Sequence, residues 1–230
     1  MATSISLSVK QDINYPDNDG QPMADNTKQF RWITTIQGGL EALFRDDANV
    51  FVAGDLLWYP VEGDNKIRVA PDVMVVFGRP KGDRGSYLQW QEENIPPQVV
   101  FEVLYPGNTL TEMARKLEFY DLYQVEEYYL YDPQKVDLSG WLRVEGRLRV
   151  IDPVPRWVSP RLGIRFELSP EDLQIYRPDG RQFETYVELE RQREIARARA
   201  EQAESQLEME QQRVEQLAAQ LRALGIEPEA

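Results

Sequence analysis

The chain has 230 residues, of which 42% are hydrophobic, and therefore suits one domain of ordinary size with an appendage. It contains neither histidine nor cysteine, which excludes disulfides, thiol nucleophiles, imidazole ligands and the serine–histidine triad. Any metal would have to bind carboxylates, carbonyls and water, which favours Mg²⁺, Mn²⁺ or Ca²⁺. The net charge of −13 argues against coating nucleic acid through bulk electrostatics, although it allows local contact with DNA.

Residues 1–27 are polar and rich in turn formers, and we expect an N-terminal extension there. They lack the charged and apolar pattern of a signal peptide. No run approaches the ~20 apolar residues that a membrane helix needs. We therefore expect a cytoplasmic protein without a membrane segment.

The first half of the body predicts one helix and two strands. The helix is indicated by residues at steps of three and four, and Asp25 or Asn26 could cap it. These residues are Phe30, Ile33, Gln37, Leu40 and Phe44. Strands are predicted over 50–59 and 71–77. An exposed basic loop is expected over 78–85, with three cations: Arg79, Lys81 and Arg84.

The second half begins with an apolar strand over 99–104. Thr109 and Glu112 then have the spacing of a capping box at a helix start. The apolar face of that helix is predicted to consist of Leu110, Met113, Leu117 and Tyr120. Further strands and hairpins are predicted over 127–133, over 141–151 around Gly146 and over 157–168 around Gly163. The pattern predicts a mixed α/β body around one sheet.

Two carboxylates stand inside apolar strands, where an unpaired charge is costly to bury. Asp72 shares a strand face with Met74 and Val76, and Glu102 lies in the strand over 99–104. If the strands are neighbours, both side chains can hold one divalent cation. Lys116 flanks the inward face of the following helix, where its ammonium could contact a phosphate or orient the attacking water.

Each of these residues also has a structural alternative. Asp72 could satisfy amides at a strand start, Glu102 could pair with an arginine, and Lys116 could extend to solvent. Glu112 is better explained as a helix cap and Asp55 as a turn residue, with a supporting acid as the alternative. The position of Glu41 on its helix face is not fixed, and the loop cations are better explained as solvated than as phosphate contacts. The tyrosines are assigned mostly to the core and sheet surface: Tyr120, Tyr123, Tyr128, Tyr129 and Tyr131.

Residues 183–224 lack glycine and proline and keep a heptad spacing that is interrupted by Glu210. The heptad positions are Ala196, Ala200, Ala203, Leu207, Val214, Leu217, Leu221 and Leu224. Because so thin an apolar seam makes a single helix marginal, the pattern favours a self-associating coiled coil. The alternative is a single solvated helix.

Pro71-Asp72 followed by Glu102 in an apolar strand resembles the PD-(D/E)XK nuclease superfamily. The usual third residue, a lysine two positions after the glutamate, is replaced by Leu104. A recognised variant moves that lysine to the following helix, where Lys116 stands. The longer stretch 71–133 is similar to the Uma-type restriction endonuclease family, abundant in cyanobacteria and formerly a domain of unknown function.

The resemblance covers most of residues 15–190 and implies a restriction-endonuclease-like fold, a divalent-metal nuclease and a homodimer. The chain departs from the family pattern at two further positions. Tyr105 stands where serine is usual and could crowd the site. Gln124 stands where glycine ends the helix and would need the left-handed conformation.

Together, these observations predict an α/β restriction-endonuclease-like core over 28–180, preceded by the extension 1–27 and followed by a long helix over 181–230. The expected activity is Mg²⁺- or Mn²⁺-dependent hydrolysis of DNA, with Asp72 and Glu102 as metal ligands and Lys116 as the phosphate-stabilising residue. A nuclease acting on RNA or branched DNA remains open. The rival from another class is a degenerate nuclease-fold module that serves as a dimeric interaction scaffold, with a possible coiled-coil partner.

Overall fold

The computed structural model describes residues 13–18, 20, 24, 26–154 and 156–223. The chain divides into two compact units, Met1–Phe183 and Glu184–Ala230. The predicted three-part division at 27/28 and 180/181 stays a prediction. None of the described helices is both long and apolar enough to cross a bilayer.

The first unit contains two helices and ten strands within the part of the chain that the structure describes. The helices are α1 (Thr27–Leu43) and α2 (Leu110–Leu122). The strands are β1 (Val50–Gly54), β2 (Trp58–Tyr59), β3 (Val73–Phe77), β4 (Tyr87–Leu88), β5 (Val99–Val103), β6 (Glu127–Asp132), β7 (Asp137–Val144), β8 (Arg147–Val150), β9 (Arg165–Leu168) and β10 (Leu173–Tyr176). A short 3₁₀ helix spans Gln89–Gln91. The predicted mixed α/β class is confirmed.

Six of these strands form one sheet in the order β1-β3-β5-β6-β7-β8. Only β5 and β6 pair in parallel, and the other neighbours pair antiparallel. A parallel neighbour requires a crossover connection, and α2 provides it between β5 and β6. Lys116 therefore lies on the helix that connects the two central strands of the sheet.

Alternate residues of the central strands enter two separate hydrophobic clusters, one for each sheet face. Val73, Val75 and Phe101 belong to the cluster that includes the apolar residues of α1. Met74 and Val100 belong to the cluster that includes Tyr120 of α2. The period-2 alternation of a strand therefore assigns one helix to each face of the sheet.

The start of α1 agrees with its predicted cap. The Asn26 side chain accepts hydrogen bonds from the backbone N–H groups of Lys28 and Gln29. Asp25, the other predicted cap, lies outside the described residues. Phe30 is an exception to the predicted apolar face because it is exposed, whereas Ile33 and Leu40 are buried.

Two strand predictions were wrong in extent. The run 50–59 is broken at Asp55, whose φ of +48° ends β1 before β2 begins. The predicted hairpin over 157–168 forms only in part: Val158 makes an antiparallel bridge with Arg165, and the Ser159 N–H donates to the Ile164 carbonyl over 2.9 Å. The regular strand pairing of this region is instead between β9 and β10. The turn around Gly146 is confirmed, although its first strand begins at Asp137.

The second unit contains α3 (Tyr186–Ala223), in agreement with the predicted long helix. No residue of α3 whose burial is described is buried, and Leu207, Val214 and Leu217 are exposed. Leu224, the last predicted heptad position, lies outside the described residues. Whether α3 pairs with another helix stays a prediction.

Candidate metal centre

The fold brings the two predicted carboxylates to adjacent strands. Asp72 immediately precedes β3, and Glu102 is the fourth residue of β5. The strands pair antiparallel with Val73 opposite Phe101, so the next position in this register sets Asp72 opposite Glu102. Directly opposite residues of an antiparallel pair lie on the same face. The shared face is the one that α2 covers.

Both oxygens of Glu102 accept hydrogen bonds from α2. Lys116 Nζ lies 2.7 Å from Glu102 Oε2, and the Tyr120 hydroxyl donates to Oε1. Lys116 and Tyr120 are four residues apart, so one helix face supplies both donors. Only 3% of Glu102 is exposed, so this pair is buried. Of the alternatives for Lys116, extension to solvent is wrong.

Burial by itself lowers the pKa of Lys116, but Glu102 and then Asp72 raise it further than burial lowers it. The ammonium therefore stays charged at neutral pH. A cation held next to a buried carboxylate suits the stabilisation of an approaching anion such as a phosphate.

Asp72 lies in an unfavourable environment for a charged carboxylate. Its Oδ2 accepts a 2.6 Å hydrogen bond from the backbone N–H of Val103. Burial, followed by the charge of Glu102, raises the pKa of Asp72 well above its usual value, although Lys116 acts in the opposite direction. Two carboxylates thus share one ammonium, and this charge balance favours the binding of a further cation.

Asp55 occupies the turn that the sequence analysis favoured, and it also lies near the acidic pair. Its backbone N–H donates to the Asp72 carbonyl over 3.2 Å. Its carboxylate makes a minor contribution to the raised pKa of Asp72. The turn and the supporting role are therefore compatible with each other.

Tyr120 and Tyr128 were assigned to the core and sheet surface, and this assignment was incomplete. Both are buried, but the Tyr120 hydroxyl bonds Glu102. The pKa of Tyr128 is raised by burial and then by the charges of Glu102 and Asp72, so its hydroxyl lies in the field of both carboxylates. The helical spacing from Lys116 could have identified Tyr120 in the sequence; no comparable signal marked Tyr128.

The donor set fits a hard divalent cation. The described residues contain no group of three or more acidic side chains that could hold a metal. Mg²⁺ typically uses only one or two protein carboxylates and keeps several water molecules. Asp72 and Glu102 supply that number, and each carboxylate oxygen has two lone pairs, so an existing hydrogen bond does not prevent coordination.

The remaining charged candidates have other partners. Glu41 pairs with Lys81 over 3.3 Å. Arg79 and Arg84 both bind Glu92, at 2.9 and 2.7 Å. The loop over 78–85 forms as predicted, but the side chains of these two arginines are largely buried, so their predicted solvation was wrong.

The predicted cap at the start of α2 is confirmed in part. Thr109 Oγ accepts the backbone N–H of Glu112 over 3.1 Å, while the Glu112 carboxylate accepts from the Asn108 side chain. Leu110, however, is 91% exposed and does not belong to the apolar face. Gln124 has the left-handed φ of +67° that its position was expected to need. Tyr105 packs its ring over Gly107.

A third carboxylate of the sheet is buried on the opposite face. Glu127 is the first residue of β6 and pairs with Val99. Because side chains alternate between faces along a strand, Glu127 lies on the face opposite to α2. Its carboxylate accepts from the Tyr129 hydroxyl at 2.8 Å, the Ser159 hydroxyl at 2.5 Å and the Arg161 backbone N–H at 2.7 Å. The sequence analysis missed this network, which attaches the segment after β8 to the sheet.

Comparisons with known proteins identify the family. No curated protein matches the chain. A crystal structure of a putative nuclease belonging to DUF820, from Anabaena variabilis ATCC 29413, has 16% identity and a TM-score of 0.44, with 62% of this chain and 78% of that chain covered. The profile of the Uma2 family, described as "Putative restriction endonuclease", matches residues 8–175. The chain therefore belongs to the Uma2 family.

Proposed function

We propose that this protein is a divalent-cation-dependent endodeoxyribonuclease that hydrolyses phosphodiester bonds. Membership of the Uma2 family supports a nuclease. The observation that carries the proposal is the buried carboxylate pair of Asp72 and Glu102, together with the Lys116 ammonium that α2 places against Glu102. Such a site favours a cation and presents a positive charge to a phosphate.

The roles of the three residues follow from their positions. Asp72 and Glu102 would hold Mg²⁺ or Mn²⁺, and Glu102 would also orient the attacking water. Lys116, already 2.7 Å from Glu102, would stabilise the attacked phosphate. The bound cation would supply Lewis-acid polarisation of the phosphate and a lowered pKa of water.

The test is cleavage of plasmid DNA by the full chain with Mg²⁺ or Mn²⁺. Asp72→Ala and Glu102→Ala should each lower cleavage by about 100-fold or more, since each removes a charge that the transition state needs. Circular dichroism should show that both variants stay folded. Glu118→Ala is the matched control because it removes an exposed carboxylate from α2.

Calorimetric titration with Mn²⁺ or Ca²⁺ tests the cation site without activity. The parent should bind one ion, and the Glu102→Ala variant should lose that binding. Equal cleavage by the parent and both alanine variants, or equal ion binding, would show that the proposed site is wrong.

We also propose that the chain forms a homodimer through α3. Leu207, Val214 and Leu217 are exposed in the single chain and stand at heptad positions of one seam. A helix of 38 residues with such a seam gains stability by pairing. A dimer without ion binding would instead favour the scaffold function.

Light scattering of the full chain tests the dimer. Val214→Glu puts a charge in the seam and should give a monomer. Gln216→Glu, which adds the same charge at an outer heptad position, should leave the dimer intact. If Val214→Glu and the parent have the same mass, α3 is not the interface.

A further inference from the structure

The acidic site contains a buried hydroxyl whose own bonding is incomplete. Tyr128 is 1% exposed, and its hydroxyl has no hydrogen-bond partner among the described residues. Buried polar groups are nearly always paired, because an unpaired one loses its interaction with water without replacement. The hydroxyl therefore indicates a missing partner.

The position of Tyr128 directs attention to the carboxylate pair. Tyr128 lies on β6 directly opposite Val100 of β5. Val100 precedes Glu102 by two residues on that strand. The ring centroid of Tyr128 is 5.0 Å from that of Tyr120, whose hydroxyl bonds Glu102. Tyr128 thus lies beside the tyrosine that bonds Glu102, and its pKa responds to the charges of both carboxylates.

The side chain of Tyr128 is also held in place. Its ring stacks on Trp141 of β7 with a centroid separation of 5.0 Å and an interplanar angle of 19°. Burial and the nearby carboxylates keep the hydroxyl protonated, so it can both donate and accept a hydrogen bond. A fixed hydroxyl without a partner suits a ligand that brings a hydrogen-bonding water to this face.

We propose that Tyr128 is a positioning residue whose hydroxyl oxygen accepts a hydrogen bond from a water molecule of the cation held by Asp72 and Glu102. This inference depends on the proposed function, because it requires the cation site. Mg²⁺ and Mn²⁺ retain water molecules when few protein ligands bind them, and these need hydrogen-bond acceptors or donors around them. Such surrounding hydrogen bonds orient the ligands of a metal and strengthen its binding.

The experiment compares Tyr128→Phe with the parent in two measurements. In EDTA, the melting temperature should stay equal or rise, since the variant removes only an unpaired buried hydroxyl. In a calorimetric titration with Mn²⁺, the Kd should increase about 10-fold, in line with the loss of an outer hydrogen bond to a metal ligand.

Tyr129→Phe is the matched control on the same strand. Its hydroxyl donates to Glu127 and accepts from the Trp157 indole on the opposite face. Removing it should lower the melting temperature and leave the Kd for Mn²⁺ unchanged. The two variants therefore predict opposite patterns from the same chemical change.

The outcomes separate this inference from the proposed function. If Tyr128→Phe keeps the parent Kd while Glu102→Ala loses binding, the cation site stands and the role of Tyr128 is wrong. If Tyr128→Phe is destabilised in EDTA with an unchanged Kd, the hydroxyl is structural and the inference is overturned. If the parent does not bind Mn²⁺, both proposals fail.

Discussion

The sheet buries a carboxylate on each of its faces, and the two surroundings differ. Glu127 receives three uncharged donors, from Tyr129, Ser159 and Arg161. Glu102 receives an ammonium and a hydroxyl, and it stands opposite a second carboxylate, Asp72. A satisfied carboxylate stabilises a fold, whereas a crowded pair lowers stability until a cation binds. The hydrogen-bond partners, and not burial alone, therefore distinguish Glu127 as a structural acid from Glu102 as a candidate metal ligand.

The largest expected effect concerns the structural acid. Glu127→Ala should lower the free energy of unfolding by about 3 kcal/mol, because it removes the acceptor of three donors, two of which are buried hydroxyls. Urea denaturation measures the loss. Glu102→Ala should cost clearly less in EDTA, since it also relieves repulsion with Asp72. If both variants lose the same free energy of unfolding, the proposed difference between Glu127 and Glu102 is wrong.

A smaller loss is expected at Ser159. Its hydroxyl donates to Glu127 and accepts the backbone N–H of Leu162 over 3.0 Å. Ser159→Ala should lower the free energy of unfolding by about 1–2 kcal/mol, as two buried groups lose one partner each. Urea denaturation with and without Mn²⁺ should give the same loss. A loss of stability that changes when Mn²⁺ is added would contradict this prediction, because it would mean that the Glu127 network and the cation site are coupled.

Replacement of Lys116 should change cation binding and DNA cleavage in opposite directions. Lys116→Ala removes the ammonium beside Asp72 and Glu102, so Mn²⁺ should bind about 3–10-fold more tightly in calorimetry. DNA cleavage should nevertheless fall, since the phosphate loses its positive contact. Weaker Mn²⁺ binding would mean that Lys116 organises the carboxylates instead of competing with the cation.

The smallest expected effect is a pH dependence at Asp72. A folded-state pKa raised above the unfolded value of 3.8 means that folding becomes less favourable as pH rises through this interval. In EDTA at pH 7, Asp72→Asn should therefore be more stable than the parent, and the difference should vanish below pH 3.8. Urea denaturation across this range measures it. A parent that gains stability relative to the variant as pH rises would contradict the sign.

The sequence predicted what local periodicity determines. The alternation of apolar residues indicated β3 and β5, and the step of four residues along α2 indicated the inward side of Lys116. Asn26 was recognisable as a cap for the same local reason. These features depend on neighbours within a few positions, where backbone geometry fixes which side chains meet.

Features that depend on distant pairing were not predictable. Glu127 meets Ser159 across 32 positions, and no spacing rule connects them. The pairing of β9 with β10, beyond the bridge between Val158 and Arg165, depends on tertiary contacts that local turn signals do not encode. The pairing of Arg79 and Arg84 with Glu92 likewise depends on the fold, and no local spacing rule predicts it.

One guanidinium connects the β7–β8 hairpin to the end of the helix that carries Lys116. Arg143, on β7, donates to the backbone carbonyls of Tyr120, Asp121 and Val125, where α2 ends and the chain turns into β6. The helix that carries Lys116 is therefore anchored by a peripheral hairpin. Substitutions in that hairpin would therefore change the position of Lys116 relative to Glu102 without any change to the two acids themselves.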